Sequence, residues 1–143
     1  MSEALNTFHW PVRIYYEDTD SGGVVYYANY LKFMERARTE WLRHSGFEQD
    51  ELIRSEGVIF AVRSVEADYL SPARFNDLLT VSAVIIEQGR ASLTFQQEVR
   101  RKADNKLLCQ GRIKIVSLKH DTMKPCAIPQ AINKIIEGMN LAR

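Results

Sequence analysis

The hydrophobic residues near the start of the chain follow first the period of a strand and then that of a helix. Val12, Ile14 and Tyr16 occupy alternate positions, which predicts a half-buried strand over residues 8–17. Residues 27–44 predict an amphipathic helix, because apolar side chains recur every three or four positions. These side chains are Tyr27, Tyr30, Leu31, Met34, Ala37, Trp41 and Leu42. At 1.5 Å per residue the helix would be about 27 Å long, enough to cross a sheet.

Later segments of the chain again read as strands, and turn-forming residues separate them. The predicted strands cover residues 58–69, 78–87, 91–101 and 107–119. Ser71–Pro72, Gly89–Arg90 and the Asp-Asn-Lys sequence at 104–106 mark the junctions. The last two gaps are short enough for antiparallel hairpins.

The order of these elements indicates the fold class. Short helices are predicted over residues 48–55 and 130–138, and the long helix precedes a run of hairpin-linked strands. This order predicts an α+β fold, with the long helix on one face of a single antiparallel sheet of about five strands. The opposite face and one sheet edge would remain open, so we expect dimerisation through that edge or face.

Composition limits the number of domains and the class of partner. The chain has 143 residues, 45% of them hydrophobic, as expected for one domain spanning residues 1–143. A chain of this size needs no metal or disulfide to fold. Nineteen basic and eighteen acidic side chains leave a net charge of +1, so we expect neither nucleic acid nor an anionic membrane as partner. The remaining partners are small molecules and proteins.

Cysteine usage and the absence of targeting segments indicate the compartment. Cys109 and Cys126 lack the Cys-x-x-Cys spacing of a metal or redox pair, and we interpret them as thiols in a reducing environment. The first residues show no secretory signal. No apolar run approaches the roughly 20 residues that span a bilayer. We therefore expect a cytoplasmic protein without an integral membrane segment.

Candidate chemistry concentrates in the loop of residues 18–23, with the sequence Asp-Thr-Asp-Ser-Gly-Gly, directly before the long helix. The start of a helix presents unpaired N–H groups and a positive dipole, which can stabilise negative charge on a carbonyl oxygen. Glycines such as Gly23 let another group approach the backbone closely. A nearby carboxylate, from Asp18 or Asp20, could attack that carbonyl or take a proton from water.

Two other interpretations of these aspartates stay open at this point. Aspartate is a good N-cap, so either residue could simply begin the helix. Asp18 and Asp20 could also bind a divalent metal for nucleotide-sugar chemistry, but that function needs a nucleotide-binding α/β domain, which a strand-rich chain lacks. No metal site and no cofactor are predicted.

The stretch of residues 16–30, Tyr-Glu-Asp-Thr-Asp-Ser-Gly-Gly-Val-Val-Tyr-Tyr-Ala-Asn-Tyr, resembles the signature of the 4-hydroxybenzoyl-CoA thioesterase family. The resemblance continues through Phe-Met-Glu-Arg-Ala-Arg-Thr-Glu at 33–40 and through 69–74 and 123–125, so it covers nearly the whole chain. It is strongest with the acyl-CoA thioesterases encoded with the bacterial Tol-Pal system.

This resemblance implies a hot-dog fold, in which a curved antiparallel sheet wraps a long helix. Family members form homodimers by edge-to-edge sheet pairing, often assemble further into homotetramers, and have active sites at the subunit boundary. The matching catalytic carboxylate is Asp20, and the matching oxyanion donor is the backbone N–H of Tyr27.

Two positions depart from the family pattern. Tol-Pal-associated relatives usually have histidine at the position of Tyr27, whereas the hydroxybenzoyl branch has tyrosine, which bears on the acyl preference. Arg90 matches one of a basic pair that contacts the nucleotide end of CoA, and Gly89 replaces the other. A solvated arginine in a turn is an equal alternative for Arg90. Tyr30, Met34 and Phe60 are candidates to line an acyl pocket, although core packing explains the helical pair, Tyr30 and Met34, equally well.

The expected function is hydrolysis of short-chain or aromatic acyl-CoA thioesters without metal or organic cofactor. Asp20 would act either as nucleophile, forming a mixed anhydride, or as general base. Acyl carrier protein could deliver the thioester instead of CoA. The alternatives are a non-catalytic protein that binds or scaffolds acyl-CoA or acyl carrier protein, and a hot-dog dehydratase, which would normally need a histidine at the site.

Overall fold

The structure is a computed structural model that describes residues 7–139. The strands are β1 (Phe8–Arg13), β2 (Val58–Tyr69), β3 (Leu78–Gln88), β4 (Ser92–Arg101) and β5 (Lys106–Lys119). The helices are α1 (Asn29–His44), α2 (Gln49–Glu56) and α3 (Gln130–Glu137). The α+β class, the five strands and the three helices are confirmed.

The strands form one antiparallel sheet in the order β1-β3-β4-β5-β2. Helix α1 lies across one face and contacts β1, β3 and β4. Its buried side chains, Tyr30, Phe33, Met34, Ala37 and Trp41 among them, form the core with the inward residues of the sheet. This is the hot-dog arrangement that the resemblance implied. No helix of residues 7–139 is long and apolar enough to cross a membrane.

Two predicted boundaries differ from the structure near the candidate loop. The first strand ends at Arg13 instead of residue 17, because a short 3₁₀ helix, Tyr16–Asp18, follows it. The long helix begins at Asn29, and Tyr27 therefore lies in the turn that leads into it. Both differences lengthen the irregular segment that carries the aspartates.

A β-bulge changes the alternation of side chains in the edge strand β2. Val62 pairs with Ile115 and Ser64 pairs with Lys114, which are neighbours on β5, so Arg63 has no partner in the ladder. Val65 therefore faces the same side of the sheet as Val62, which is the side that α1 covers. Both valines stay exposed, at 51% for Val62 and 40% for Val65. Along this edge, the helix-facing side of the sheet is uncovered.

Gly111 on β5 lets α1 approach the sheet closely. A Cβ atom there would lie 3.2 Å from the Met34 sulfur and 3.3 Å from the Glu66 carbonyl oxygen. Next to it on β4, the fully buried Gln97 donates from Nε2 to the Met34 carbonyl (3.0 Å) and to the Ser82 carbonyl (3.1 Å). This buried amide ties the middle of α1 to the sheet.

Candidate functional site

The loop before α1 folds into a tight turn held by its own backbone. The Asp20 N–H donates to the Val24 carbonyl and the Gly23 N–H donates to the Asp20 carbonyl, each over 3.0 Å. Gly23 has a φ of +79°, a left-handed conformation that side chains rarely adopt, and no atom would lie within 4 Å of a Cβ there. The turn is therefore open to solvent beside Gly23, so another molecule can approach the backbone.

Asp20 is exposed at the tip of this turn. Its Oδ1 accepts a hydrogen bond of 2.9 Å from the Gly22 N–H. Its other carboxylate oxygen has no hydrogen bond to any residue within 7–139. The side chain is thus oriented by one oxygen and leaves the other available.

Asp18 has a different environment. Its carboxylate accepts a 2.8 Å hydrogen bond from the Tyr15 N–H, and its carbonyl accepts hydrogen bonds from Tyr26 N–H and from the Asn29 side chain. Asp18 therefore holds the loop together. The N-cap of α1 is Ala28, which has no side-chain cap, so the capping interpretation for α1 is wrong for both aspartates.

The backbone N–H of Tyr27 has no hydrogen-bond acceptor within the described part of the chain. The Ala28 N–H likewise has no acceptor among residues 7–139, whereas Asn29 donates to Tyr26 and Tyr30 donates to Tyr27. The Tyr27 N–H is one of the unpaired donors expected where a helix begins. A donor of this kind can stabilise an oxyanion.

Aromatic rings surround this donor. The Tyr27 ring is 58% exposed and contacts Tyr69, at the end of β2, edge to face with 5.6 Å between ring centroids. Tyr69 also contacts Tyr30, at 5.8 Å. Burial raises the pKa of both Tyr30 and Tyr69, so their hydroxyls stay protonated at neutral pH.

Tyr30 is buried, and its hydroxyl oxygen accepts a 3.0 Å hydrogen bond from the Ala73 N–H. The Ala73 carbonyl in turn accepts from the Val25 N–H at 2.9 Å. The segment around Ala73 thus joins the first turn of α1 to the aspartate loop. The structure gives Tyr30 a packing role, and its contact with substrate stays a prediction.

The sequence suggested a solvated hairpin end or a phosphate contact for Arg101, whereas the structure shows that Arg101 holds the segment around Ala73 in place. Its guanidinium forms an ion pair with Asp77 at 3.2 Å and donates to the Pro72 carbonyl at 3.0 Å. A second carboxylate, Asp104, lies 3.0 Å away. No local sequence signal indicates the contacts with Pro72 and Asp77, because that loop lies more than 20 residues before Arg101 in the chain.

The structure does not bring Phe60 and Arg90 to the aspartate loop. Phe60 and Tyr69 are nine positions apart on β2, which corresponds to about 30 Å along a strand. Arg90 lies in the turn after β3, at the end of the sheet where Phe60 also lies. The Ala91 carbonyl accepts a hydrogen bond from the Ser117 N–H, and Ser117 pairs with Phe60 across β2 and β5. Within one chain, the predicted site residues therefore form two groups at opposite ends of the sheet.

Residues 7–139 contain no cluster of three or more His, Cys, Asp or Glu side chains that could hold a metal ion. The groups that the site offers for chemistry are the Asp20 carboxylate and the free backbone N–H of Tyr27, and Gly23 leaves space for another molecule to approach them.

The amino-acid sequence matches a known protein family and curated relatives. The family model described as thioesterase superfamily matches residues 22–108, more than half of the chain. The chain is 46% identical over 130 residues to the acyl-CoA thioester hydrolase YbgC of Escherichia coli, covering 90% of this chain and 96% of that protein. It is 41% identical to the acyl-CoA thioesterase YbgC of Haemophilus influenzae, over 89% of this chain and 92% of that one.

Solved structures show the same fold. A probable thioesterase from Bartonella henselae is 32% identical with a TM-score of 0.82, over 86% of this chain and 99% of the other. A 1,4-dihydroxy-2-naphthoyl-CoA thioesterase from Synechocystis superposes with a TM-score of 0.86 at 22% identity, over 93% and 97% of the two chains.

Proposed function

This chain belongs to the thioesterase superfamily and is an acyl-CoA thioester hydrolase, and on that premise we propose that Asp20 carries out the reaction. The substrates are short-chain or aromatic acyl-CoA thioesters. Catalysis needs no metal and no organic cofactor.

One observation carries this proposal: the carboxylate of Asp20 lies in the tight turn of residues 20–24 and the unbonded N–H of Tyr27 lies in the next turn of the same loop, with open space at Gly23 between them in sequence. A thioester entering beside Gly23 can direct its carbonyl oxygen to the Tyr27 N–H. The positive end of α1 then stabilises the oxyanion. The free oxygen of Asp20 faces the reacting carbon or a water molecule.

Two routes use this carboxylate. In the first, an Asp20 oxygen attacks the carbonyl carbon and the C–S bond breaks. The CoA thiolate leaves and takes a proton from water, and a second water hydrolyses the mixed anhydride. In the second, Asp20 takes a proton from water as the water oxygen attacks the same carbon, and the thiolate leaves with that proton. Both routes yield the free acid and CoA and require an ionised Asp20.

A homodimer through β2 explains why the site residues form two groups. β2 is an edge strand of 12 residues with unpaired backbone groups. Its helix-facing side carries the exposed side chains of Val62, Val65 and Tyr69. A second copy pairing with β2 satisfies the backbone and covers these side chains. Two such dimers can form a tetramer.

Antiparallel pairing about the centre of β2 places the two groups side by side. Residue 60 then lies opposite residue 67, so Phe60 of the partner subunit approaches Tyr69 and Tyr27. Arg90 of the partner subunit lies about 10 Å further across the sheet, two strands away. In this arrangement Phe60 lines the acyl site, Gly23 admits the thioester and Arg90 contacts a phosphate of CoA.

The cellular setting is part of the proposal. We propose that the protein acts in the cytoplasm, near the Tol-Pal envelope system, and the resemblance of its loop sequence to Tol-Pal-associated thioesterases supports this setting. CoA or acyl carrier protein presents the thioester.

The test measures release of free thiol from a panel of short-chain and aromatic acyl-CoAs. Removing a catalytic base or nucleophile costs about 100-fold or more, so Asp20→Asn should lose at least that factor in kcat. Asp18→Asn is the matched control, since its side-chain oxygen can still accept the Tyr15 hydrogen bond, and it should stay within about tenfold of the parent.

Activity of Asp20→Asn within a factor of two of the parent would remove Asp20 from the mechanism. Tight binding of acyl-CoA by calorimetry, with no thioester of the panel cleaved by the parent protein, would instead support a non-catalytic acyl-binding protein.

A further inference from the structure

A cavity of about 150 Å³ lies at the end of the sheet away from the Asp20 loop, between α1, the start of β2, and α3. Most of its lining residues are apolar, with Trp41, Leu42, Phe60, Leu93, Phe95 and Ile132 among them, and the polar ones are Glu35, Arg38, Thr39 and Gln49. Elsewhere, a protein cavity of about this volume holds a benzene ring. The cavity therefore has room for a small acyl group.

Arg38 on α1 is a polar exception in this lining. Its Nη1 donates a 2.9 Å hydrogen bond to Oε1 of Gln97. Gln97 cannot turn away, because it is fully buried and its amide nitrogen is bonded to the Met34 and Ser82 carbonyls. The guanidinium of Arg38 is thus held in one orientation at the cavity.

This cation makes no direct ion pair within the described residues. No ion pair joins Arg38 to a carboxylate of residues 7–139. Glu35 lies one turn away on α1, also lines the cavity, and its charge favours the protonated Arg38, but it forms no ion pair with Arg38 and its carboxylate accepts a hydrogen bond from the Thr39 hydroxyl at 2.7 Å. Burial lowers the pKa of Arg38, which indicates partial desolvation of the charge.

A partly desolvated guanidinium with unused N–H donors favours an anionic acceptor. Arginine has five N–H donors, and one is bonded to Gln97. A carboxylate can accept two of the remaining donors in the planar fork geometry, which is the strongest hydrogen-bonded pairing that arginine makes. A purely alkyl acyl group would fill the cavity but would leave the guanidinium of Arg38 without an ion-pair partner.

We propose that Arg38 is a specificity-determining residue which favours acyl groups that carry a carboxylate at the end opposite the thioester. The proposal rests on the function proposed above, including the dimer, in which the cavity of one subunit lies beside Tyr27 and Asp20 of the partner subunit. The apolar walls hold the chain of the acyl group, and the fork of Arg38 holds its distal carboxylate.

The test compares succinyl-CoA with butyryl-CoA, because both acyl groups have four carbons and differ in the distal carboxylate. The measured quantity is the ratio of their kcat/KM values for the parent, Arg38→Met and Arg38→Lys. Arg36→Met is the matched control, since Arg36 lies on the same helix but stacks over Phe33 and does not line the cavity. Thermal unfolding by circular dichroism reports whether each variant folds.

We expect the succinyl-to-butyryl ratio to fall at least tenfold in Arg38→Met, to lie between that value and the parent in Arg38→Lys, and to change less than twofold in Arg36→Met. If Arg38→Met does not fold, the fall in Arg38→Lys decides. A ratio within a factor of two of the parent in the folded variants would overturn the proposal.

Failure of the Arg38 proposal and failure of the proposed function give different results in this experiment. Asp20→Asn should lower both rates by the same factor and leave the ratio unchanged. If the parent cleaves neither thioester, the proposed function fails for this substrate class, and calorimetry then compares the Kd values of the two acyl-CoAs for parent and Arg38→Met. Equal Kd ratios in the two proteins would overturn the role of Arg38 as well.

Discussion

Oδ1 of Asp20 lies 2.9 Å from the backbone nitrogen of Gly22, two residues further along the same turn. This hydrogen bond fixes the carboxylate within the turn of residues 20–24, and the next turn of the same loop carries the Tyr27 N–H. The position of the carboxylate, as well as its charge, should therefore decide activity.

Asp20→Glu tests this positional requirement. The extra methylene moves the carboxylate by more than 1 Å and breaks its geometry with Gly22, and a misplacement of that size can cost about 100-fold in rate. We expect kcat to fall by about that factor, with an unchanged unfolding midpoint in urea. Retention of more than half of the parent kcat would contradict the assigned geometry.

Tyr30→Phe should destabilise the protein through a hydrogen bond. The variant removes the acceptor of the Ala73 N–H, and a buried donor without a partner costs about 1–3 kcal/mol. Urea unfolding should report this loss. Tyr26→Phe is the control, since the exposed Tyr26 hydroxyl has no hydrogen bond within residues 7–139, and equal unfolding free energies for the two variants would refute the assignment.

Gly111→Ala should weaken the contact between α1 and β5. The new methyl group would meet the buried Met34 sulfur at 3.2 Å and the Glu66 carbonyl oxygen at 3.3 Å, and such overpacking costs about 1–3 kcal/mol. Gly138→Ala provides the comparison, because its methyl group would find no atom nearer than 3.5 Å. Thermal unfolding of both should separate them, and a Gly111→Ala midpoint at or above that of Gly138→Ala would argue against the close approach.

Cys109 should be unreactive in the folded protein. Burial raises the pKa of its thiol to about 12, so at pH 9 about one thiol in a thousand is ionised. In a Cys126→Ser variant, alkylation by iodoacetamide should stay slow up to pH 9 and become fast in urea. The folded-state rate should increase as pH approaches 12, and rapid alkylation of folded protein at pH 8 would show that the thiol is accessible.

Val62→Asp should separate the subunits of the proposed dimer. A carboxylate on the uncovered side of β2 would be buried without a partner in the interface, so we expect a monomer by light scattering and a large loss of kcat/KM. Ile135→Asp controls for a charge on an exposed apolar position, since Ile135 is exposed on α3 and is not part of the edge strand β2. An oligomer that survives Val62→Asp with full activity would exclude this interface.

The sequence alone predicted most of the fold, because hydrophobic periodicity determines secondary structure where side chains face one core. The limits of β2 agree with the prediction at both ends. The prediction failed near residues 14–18, where the Tyr15 N–H bonds to the Asp18 side chain instead of a neighbouring strand. Local side-chain bonding of this kind leaves no periodic signal.

The candidate site was only partly accessible to sequence reasoning. The loop with Asp20 and Tyr27 is continuous in the chain, so its composition and position before a helix indicated chemistry. The contacts of Arg101 with Pro72 and Asp77, and the bond between Arg38 and Gln97, join residues far apart in sequence. Such contacts depend on strand order, which periodicity does not determine.

The unpaired Arg63 has a further consequence for β2. Phe60 and Tyr69 are an odd number of positions apart, so in a regular strand they would point to opposite sides. The extra residue shifts the alternation of side chains by one position, so both rings face α1. A chain lacking Arg63 would keep Val62 opposite Ile115 and Ser64 opposite Lys114 in a regular ladder, so Tyr69 would still face α1 and Asp68 would still face outward. The bulge is therefore the point at which β2 can lose a residue without turning the following side chains to the other side of the sheet.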